Sequence, residues 1–415
     1  MVPGRLYAAG AALLASMPLV MALANRSSPA VVGLAALLFL AGRASEDRAA
    51  AGRALAGPLR TPLGVAALAF LGWCLASLAW SPFPAASFRS AGEFLPVLVA
   101  AYVLARLAPG RIPAFAAPLA AAAIVAAGLF VAGSLAAGLP IQKVLGQRIA
   151  DFVFNRPALT LSLVAGPLAL VLWRQGRRLP AFAALAFSAL GILRSVSGAA
   201  ALGLIAGTAV FALARLLPRR AAIGLCGLML GLALALAPVE GDLLERVMPE
   251  AAHARLTQSS SRARVAIARS FGAAVAADPW RGAGFGVAPR FAETPVAARL
   301  EPDMRGLLAV GHPHNSFLQV WAELGIVGAG LAALVSMLTL RTLSGAAPAE
   351  RATALALIAA GTAIAFVEHN AWAAWWTAGL GAAITWLREA FRLRQASLLR
   401  EAAPRPPSSL DRTAP

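Results

Sequence analysis

Two of the chain's four histidines stand close together, at His312 and His314, directly before Asn315. An imidazole titrates near neutral pH and can accept a proton from a weak acid such as a hydroxyl group. Two other interpretations have to be weighed, because side chains at a helix start can cap the helix and a His-x-His pair can bind zinc. His253 and His369 supply no third ligand at a recognisable spacing, so no metal site is expected.

The rest of the sequence predicts that this segment lies at a membrane boundary. The chain has 415 residues, of which 60% are hydrophobic and 13% are charged, and its apolar residues occur in long runs. Crossing a hydrocarbon core of about 30 Å takes roughly 20 such residues. About twelve spans are predicted, at residues 6–24, 29–42, 63–81, 90–106, 114–136, 158–173, 179–193, 197–216, 221–238, 316–340, 352–368 and 370–387. The predicted fold class is an all-α integral membrane protein with one large outer loop.

Arginine placement predicts the orientation of these spans. Arginines cluster in alternate short loops and in the C-terminal segment, whereas the intervening short loops carry near-single residues such as Arg26 and Arg89. The clustered residues are Arg43, Arg48, Arg53, Arg60, Arg174, Arg177, Arg178, Arg215, Arg219, Arg220, Arg341 and Arg351. Because basic short loops remain cytoplasmic, the N-terminus is expected in the cytoplasm. The same rule explains most of the formal charge of +18, so no nucleic-acid partner is expected.

Four parts follow from this topology. Residues 1–238 are predicted to hold helices 1 to 9, with a shorter periplasmic loop near 139–157. Residues 239–315 form the large periplasmic loop. Residues 316–388 hold helices 10 to 12, and residues 389–415 read as a disordered cytoplasmic tail.

The large loop is predicted to be ordered and partly helical. Its apolar residues are too many for a solvated linker: Phe271, Val275, Trp280, Phe285, Phe291 and Leu300. A helix is predicted from Arg262 to Ala277, ended by Asp278-Pro279. The glycine-rich run from Gly282 to Gly286 is interpreted as a turn that permits close backbone packing, because no strand precedes it to build a phosphate-binding loop. Most charged residues of the loop, Glu240 among them, are expected to form a solvated face.

The segment from His314 to Gly328 resembles the signature of a known family. His314-Asn315, then nine residues, then Gly325-Ile326-Val327-Gly328, is similar to the His-Asn-x9-Gly-x-x-Gly signature of O-antigen ligases and the related O-antigen polymerases. The residues around this motif, from His312 to Gly325, strengthen the resemblance. Ligases and polymerases share the motif.

Two further segments, 264–284 and 154–159, resemble the parts of these enzymes that carry essential arginines. The first resembles a long-loop helix that an arginine opens and a proline followed by Gly-x-Gly closes, which indicates Arg264. The second precedes the sixth predicted span and indicates Arg156. Neighbouring arginines leave the register open: Arg262, Arg269 and Arg148.

The resemblance implies a GT-C-like glycosyltransferase that needs no cofactor or metal ion and faces the periplasm from a Gram-negative inner membrane. Its donor would be a glycan on undecaprenyl pyrophosphate, and its acceptor would be a sugar of the lipid A core. His314 would act as the base for the acceptor hydroxyl, with His312 and Asn315 in support. Arg264 and Arg156 would bind the donor pyrophosphate as charge builds on the leaving oxygen. Attack from the opposite face would invert the anomeric carbon.

Two other functions are compatible with the sequence. A polymerase would use the same chemistry to join lipid-linked repeats to each other. A transporter would also suit twelve spans, but transporters usually carry ionisable residues or broken helices at mid-membrane. The predicted span interiors hold almost no ionisable residue apart from Glu93 and Glu323, so a glycosyltransferase is the favoured interpretation.

Overall fold

The computed structural model describes residues 3–144, 146, 149–249, 251, 261–367 and 370–402, and the regular structure within them is helical. The helices are α1 (Pro3–Leu23), α2 (Ser28–Glu46), α3 (Arg48–Leu59), α4 (Pro62–Ala76), α5 (Pro84–Leu107), α6 (Ala116–Ala136), α7 (Pro140–Val144), α8 (Asn155–Arg174), α9 (Arg178–Arg194), α10 (Gly198–Leu216), α11 (Arg219–Ala235), α12 (Glu240–Val247), α13 (Ser261–Ala277), α14 (Pro302–Leu308), α15 (Ser316–Thr342), α16 (Pro348–Val367) and α17 (Ala374–Ala402). Short 3-10 segments join several of them.

Nine helical segments in the described ranges are long and apolar enough to cross a membrane, or ten if α11 and Ala237–Val247 form one bent span. The nine are Pro3–Leu23, Ser28–Glu46, Pro62–Trp80, Pro84–Leu107, Ala116–Ala136, Asp151–Arg174, Gly198–Leu216, Ser316–Gly345 and Pro348–Val367. This is the architecture of a multi-pass membrane protein. The predicted spans at 179–193 and 370–387 are also helical, but α9 has only 17 residues and α17 lies outside this set, so twelve spans remain a prediction.

Small residues let the helices of the bundle approach closely. A Cβ on Gly128 of α6 would lie 2.1 Å from the carbonyl oxygen of Phe187 on α9, so only glycine fits there. Many large apolar side chains are exposed instead, including Leu34, Leu37 and Ile205. Exposed apolar side chains of this kind suit a surface that faces lipid.

A bend of 52° separates α11 from the charged helix α12. We place the end of the membrane-spanning part at this bend, because four charged residues follow within eight positions: Glu240, Asp242, Glu245 and Arg246. α12 packs on α13 so closely that a Cβ on Gly241 would lie 2.3 Å from the backbone nitrogen of Arg269. α12 therefore belongs structurally with the segment that follows it.

Ala237 and residues 267–308 build a second, smaller core together with the first turns of α15. Phe271 of α13 lies 4.8 Å from the ring of Phe291, and both are buried with Leu308 and Leu318. The helix predicted over 262–277 is confirmed, since α13 runs from Ser261 to Ala277 and buries Val265, Ala268, Phe271 and Val275. Trp280, one of the apolar residues from which order was predicted, has an exposed side chain.

α17 extends further than the sequence predicts. The tail was expected to be disordered from residue 389, whereas the helix continues to Ala402 and residues 403–415 lie outside the described part of the chain. The carboxylate of Glu389 accepts a hydrogen bond from the backbone nitrogen of Gly110, and Ala390 is fully buried. Packing against a neighbouring loop, together with the good helix propensity of Arg, Leu and Ala, explains the extension.

Candidate active site

Asn315 ends the long loop and begins α15. Its side-chain oxygen accepts hydrogen bonds from the backbone nitrogens of Phe317, at 2.8 Å, and Leu318, at 3.2 Å. These are two of the amide groups that the first turn of a helix leaves without an internal partner. Of the two interpretations left open for this segment, helix capping therefore applies to Asn315.

His314, one residue earlier, has a backbone that L-amino acids seldom adopt. Its φ angle is 55°, in the left-handed region that residues other than glycine seldom adopt and where their backbone is strained. The half-buried His314 ring lies 4.4 Å from the His312 ring in an edge-to-face arrangement. Strained residues of this kind concentrate at functional sites, where the surrounding structure holds them in place.

Glu240 holds the Asn315 side chain from the other side. The Asn315 amide donates a hydrogen bond to the Glu240 carboxyl, which is buried beneath it on α12. Burial raises the pKa of Glu240 to about 7, because the loss of hydration outweighs the hydrogen bond from Asn315. Glu240 is an exception to the solvated face predicted for most charged residues of the loop, because the bend after α11 turns this carboxyl inward.

We expect Glu240→Leu to destabilise the fold by about 1–3 kcal/mol, because the buried Asn315 amide loses its acceptor. Glu240→Gln keeps an acceptor oxygen and should cost much less. Because the pKa of Glu240 is raised, stability depends on pH in a definite direction. The contribution of the protonated Glu240 to stability is complete below about pH 4.5 and is lost as pH rises through about 7. From pH 5 to pH 8 the melting temperature should therefore fall more for the wild type than for Glu240→Gln. Equal falls in the two proteins would contradict this.

Glu323 ties three separate parts of the chain together inside the protein. Its carboxylate accepts hydrogen bonds from the backbone nitrogens of Gly286, at 2.6 Å, and Ala288, at 3.2 Å. It also accepts from the Gln319 amide at 2.9 Å and the Trp372 indole at 2.7 Å. With four donors and no exposed surface, this carboxylate is a structural centre.

The glycine-rich turn packs on a break in α15. Gly325 has φ 63° and ψ −165°, which interrupts the helix and frees the carbonyl groups before it. The backbone nitrogens of Ala283 and Gly284 donate to the Ala322 and Glu323 carbonyls at 2.9 and 2.8 Å. A Cβ on Gly282 would lie 2.5 Å from the Glu323 carbonyl carbon. The interpretation of this run as a turn for close backbone packing is confirmed.

The elements that carry the predicted site residues contact the connection between α16 and α17 or the helix ends beside it. Gln319, one turn after Asn315, donates to the Asn370 side chain at 3.0 Å and accepts from the Ala371 backbone nitrogen at 2.8 Å. Arg264 of α13 donates to the carbonyl oxygen of Val367. Val367 and Ala371 are four residues apart in the chain, so they lie at most about 15 Å from each other. α13 and the first turn of α15 therefore contact the same short stretch of chain.

Arg156 of α8 reaches the first turn of α17, directly after this connection. Its guanidinium lies 5.4 Å from the ring centre of Trp375, at the beginning of α17. A cation over an indole face is attracted by the ring electrons. Arg156, Arg264 and the helix start with His314 therefore come from elements that share one connection, of which Glu368 and His369 lie outside the described residues.

The rival arginines have different surroundings. Arg269 pairs with Asp242 at 2.9 Å and Glu245 at 3.8 Å, both on α12. Arg262 is exposed, whereas Arg264 is half-buried. Arg148 lies outside the described residues. Among the described residues, no three His, Cys, Asp or Glu side chains are arranged to hold a metal ion.

Residues 182–333 match the family model described as O-antigen ligase. The match includes Arg264, His314, Asn315 and Gly325, and it leaves Arg156 outside. The resemblance read from the His-Asn motif is thereby confirmed. A family match of this kind indicates glycosyltransferase activity of the ligase or polymerase type. No curated protein matches the chain.

Proposed function

We propose that the protein is an O-antigen ligase that transfers a glycan from undecaprenyl pyrophosphate to a sugar of the lipid A core. The observation that carries the proposal is the meeting of α8, α13 and α15 at the α16–α17 connection. Two cationic side chains and an imidazole on elements at one end of a membrane bundle suit a lipid-linked pyrophosphate donor, whose prenyl chain stays in lipid. The family match over 182–333 supports the same class.

In the proposed reaction an acceptor hydroxyl oxygen forms a bond to the anomeric carbon while the bond from that carbon to the pyrophosphate oxygen breaks. The hydroxyl proton passes to the His314 imidazole, the type of group most often used for such a transfer in enzymes. Arg264 and Arg156 stabilise the negative charge that builds on the leaving pyrophosphate. One displacement from the opposite face inverts the anomeric carbon. We assign no cofactor or metal ion to this mechanism.

The proposed setting is a bacterial inner membrane with the site facing the periplasm. The clustered arginines of the short loops and of α17 would then lie in the cytoplasm. Residues 239–315 would form the periplasmic lid over the donor head. Because the second core attaches this segment to α15, the lid and the proposed base would be one structural unit.

The proposal is tested in membranes that contain the full-length protein, supplied with a lipid-linked donor and a lipid A core acceptor. We expect a capped core that also forms in the presence of a chelator. Longer lipid-linked chains with an uncapped core would show that the protein is a polymerase and not a ligase. Donor movement across the bilayer without any new glycosidic bond would show that the protein is a transporter and not a glycosyltransferase.

Arg264→Lys is expected to lower the transfer rate about 100-fold, because an ammonium group cannot make the two parallel hydrogen bonds that a guanidinium offers to a pyrophosphate. The Michaelis constant for the donor should rise in the same variant. Arg262→Lys, at an exposed position two residues away, is the matched control and should leave the rate within about twofold. Equal losses in both variants would remove Arg264 from the proposed mechanism.

A further inference from the structure

A cavity of about 600 Å³ lies between α8, α9, α10 and α16, away from the candidate site. Its lining takes residues 162–173 of α8 and 349–360 of α16, whereas the site uses Arg156 and Val367 at the opposite ends of the same helices. The cavity and the candidate site therefore occupy different halves of the bundle.

The cavity is hollow because small residues face it from α8, α10 and α16. Gly166, Gly207 and Ala360 line it, and nothing lies within 4 Å of the place where a Cβ on Gly166 would stand. It closes toward the candidate site, where a Cβ on Gly203 would lie 2.7 Å from the Ile364 side chain. An occupant would enter from the end where α8 and α10 finish.

The chemistry of the lining is that of hydrocarbon with one cation. Leu170, Phe182 and Phe211 are typical of its walls, and the Thr353 and Ser188 hydroxyls already donate to main-chain carbonyls. A polar ligand would gain few hydrogen bonds there. Arg215 lines the open end near the last turn of α10, where a negatively charged group would meet it.

We propose that this cavity binds an anionic phospholipid, with one acyl chain among the apolar walls and the phosphate at Arg215. Three of the four helices around the cavity, α8, α10 and α16, are long and apolar enough to cross a membrane, so its occupant would come from the bilayer, and a basic residue at its lining favours an anionic headgroup. The glycan donor is not this lipid, because its pyrophosphate would have to lie at the other end of α8. The site is separate from the proposed reaction and does not depend on it.

The test uses the purified full-length protein in detergent, with phosphatidylglycerol, phosphatidylcholine or undecaprenyl phosphate added in separate arms. Phosphatidylglycerol should raise the melting temperature by several degrees and appear as one retained lipid in native mass spectrometry. Gly166→Leu should abolish both signals, because the leucine side chain fills the cavity. Gly224→Leu on α11, which makes the same change at a position with open space outside the cavity, should retain them.

Arg215→Gln keeps the proposal testable if Gly166→Leu fails to fold. This exposed substitution should remove the preference for phosphatidylglycerol over phosphatidylcholine and leave basal transfer unchanged. Equal stabilisation by both lipids in the wild type, or a phosphatidylglycerol signal that survives Gly166→Leu, would overturn the assignment. Tighter binding of undecaprenyl phosphate than of phosphatidylglycerol would also overturn it.

Discussion

His314→Ala is expected to lower the rate of glycan transfer by about 10²–10⁴-fold, the range that a positioned general base contributes. A sugar hydroxyl is a weak nucleophile near neutral pH, and alanine removes the group proposed to take its proton. The donor should still bind, because the proposed pyrophosphate contacts come from Arg264 and Arg156. Initial rates measured over a range of donor concentrations should therefore show a fall in kcat with little change in KM.

The strained backbone of His314 makes a second variant necessary. His314→Asn keeps a residue that tolerates a positive φ angle but cannot act as a base near neutral pH. We expect it to fold normally and to be as inactive as His314→Ala. In His314→Gly, where the backbone is unstrained, added imidazole should restore part of the activity. A His314→Asn variant with a nearly normal rate would show that position 314 acts through the backbone alone.

The elements that local sequence patterns determine were predictable. The apolar spacing of α13 and the proline after it gave the helix within one residue of its observed start. The glycine-rich turn was interpreted correctly, because a run with alternate glycines suits backbone that must approach another backbone closely. The His-Asn motif led to a helix start that is both capped and strained. In each case the information lies within a few residues of the feature.

The contacts that hold the site together were not predictable, because they join residues far apart in the chain. Glu240 meets Asn315 across 75 positions, and Arg264 meets the Val367 carbonyl across 103. Nothing in the spacing of one sequence distinguishes Glu240 from the solvated carboxylates beside it on α12. The bend after α11 makes the difference, because it brings Glu240 to the start of α15.

The structural role of Glu323 was likewise not predictable from the sequence. An ionisable residue within a predicted span was a weak argument for transport. In the fold the carboxylate holds the glycine-rich turn and the α16–α17 connection through Gly286, Ala288, Gln319 and Trp372. A buried acid that is satisfied by four donors has a structural explanation, so it no longer favours a transport pathway.

Glu323→Ala is expected to have the largest effect on stability. It would leave four buried donors without an acceptor, at about 1–3 kcal/mol each, which together approaches the whole stability of a typical domain of about 5–15 kcal/mol. We expect little folded protein to be recovered from detergent extracts, measured by fluorescence-detected size exclusion and thermal melting. Glu323→Gln, which keeps one acceptor oxygen, should be intermediate.

Glu93→Ala is the matched control, because it removes the same side chain from an exposed position of α5. It should leave both the yield and the melting temperature close to those of the wild type. If Glu323→Ala melted within about two degrees of Glu93→Ala, the four hydrogen bonds could not be what fixes the turn to α15. The positions of Arg264 and His314 would then have to depend on the apolar core around Phe271 and Leu318 instead.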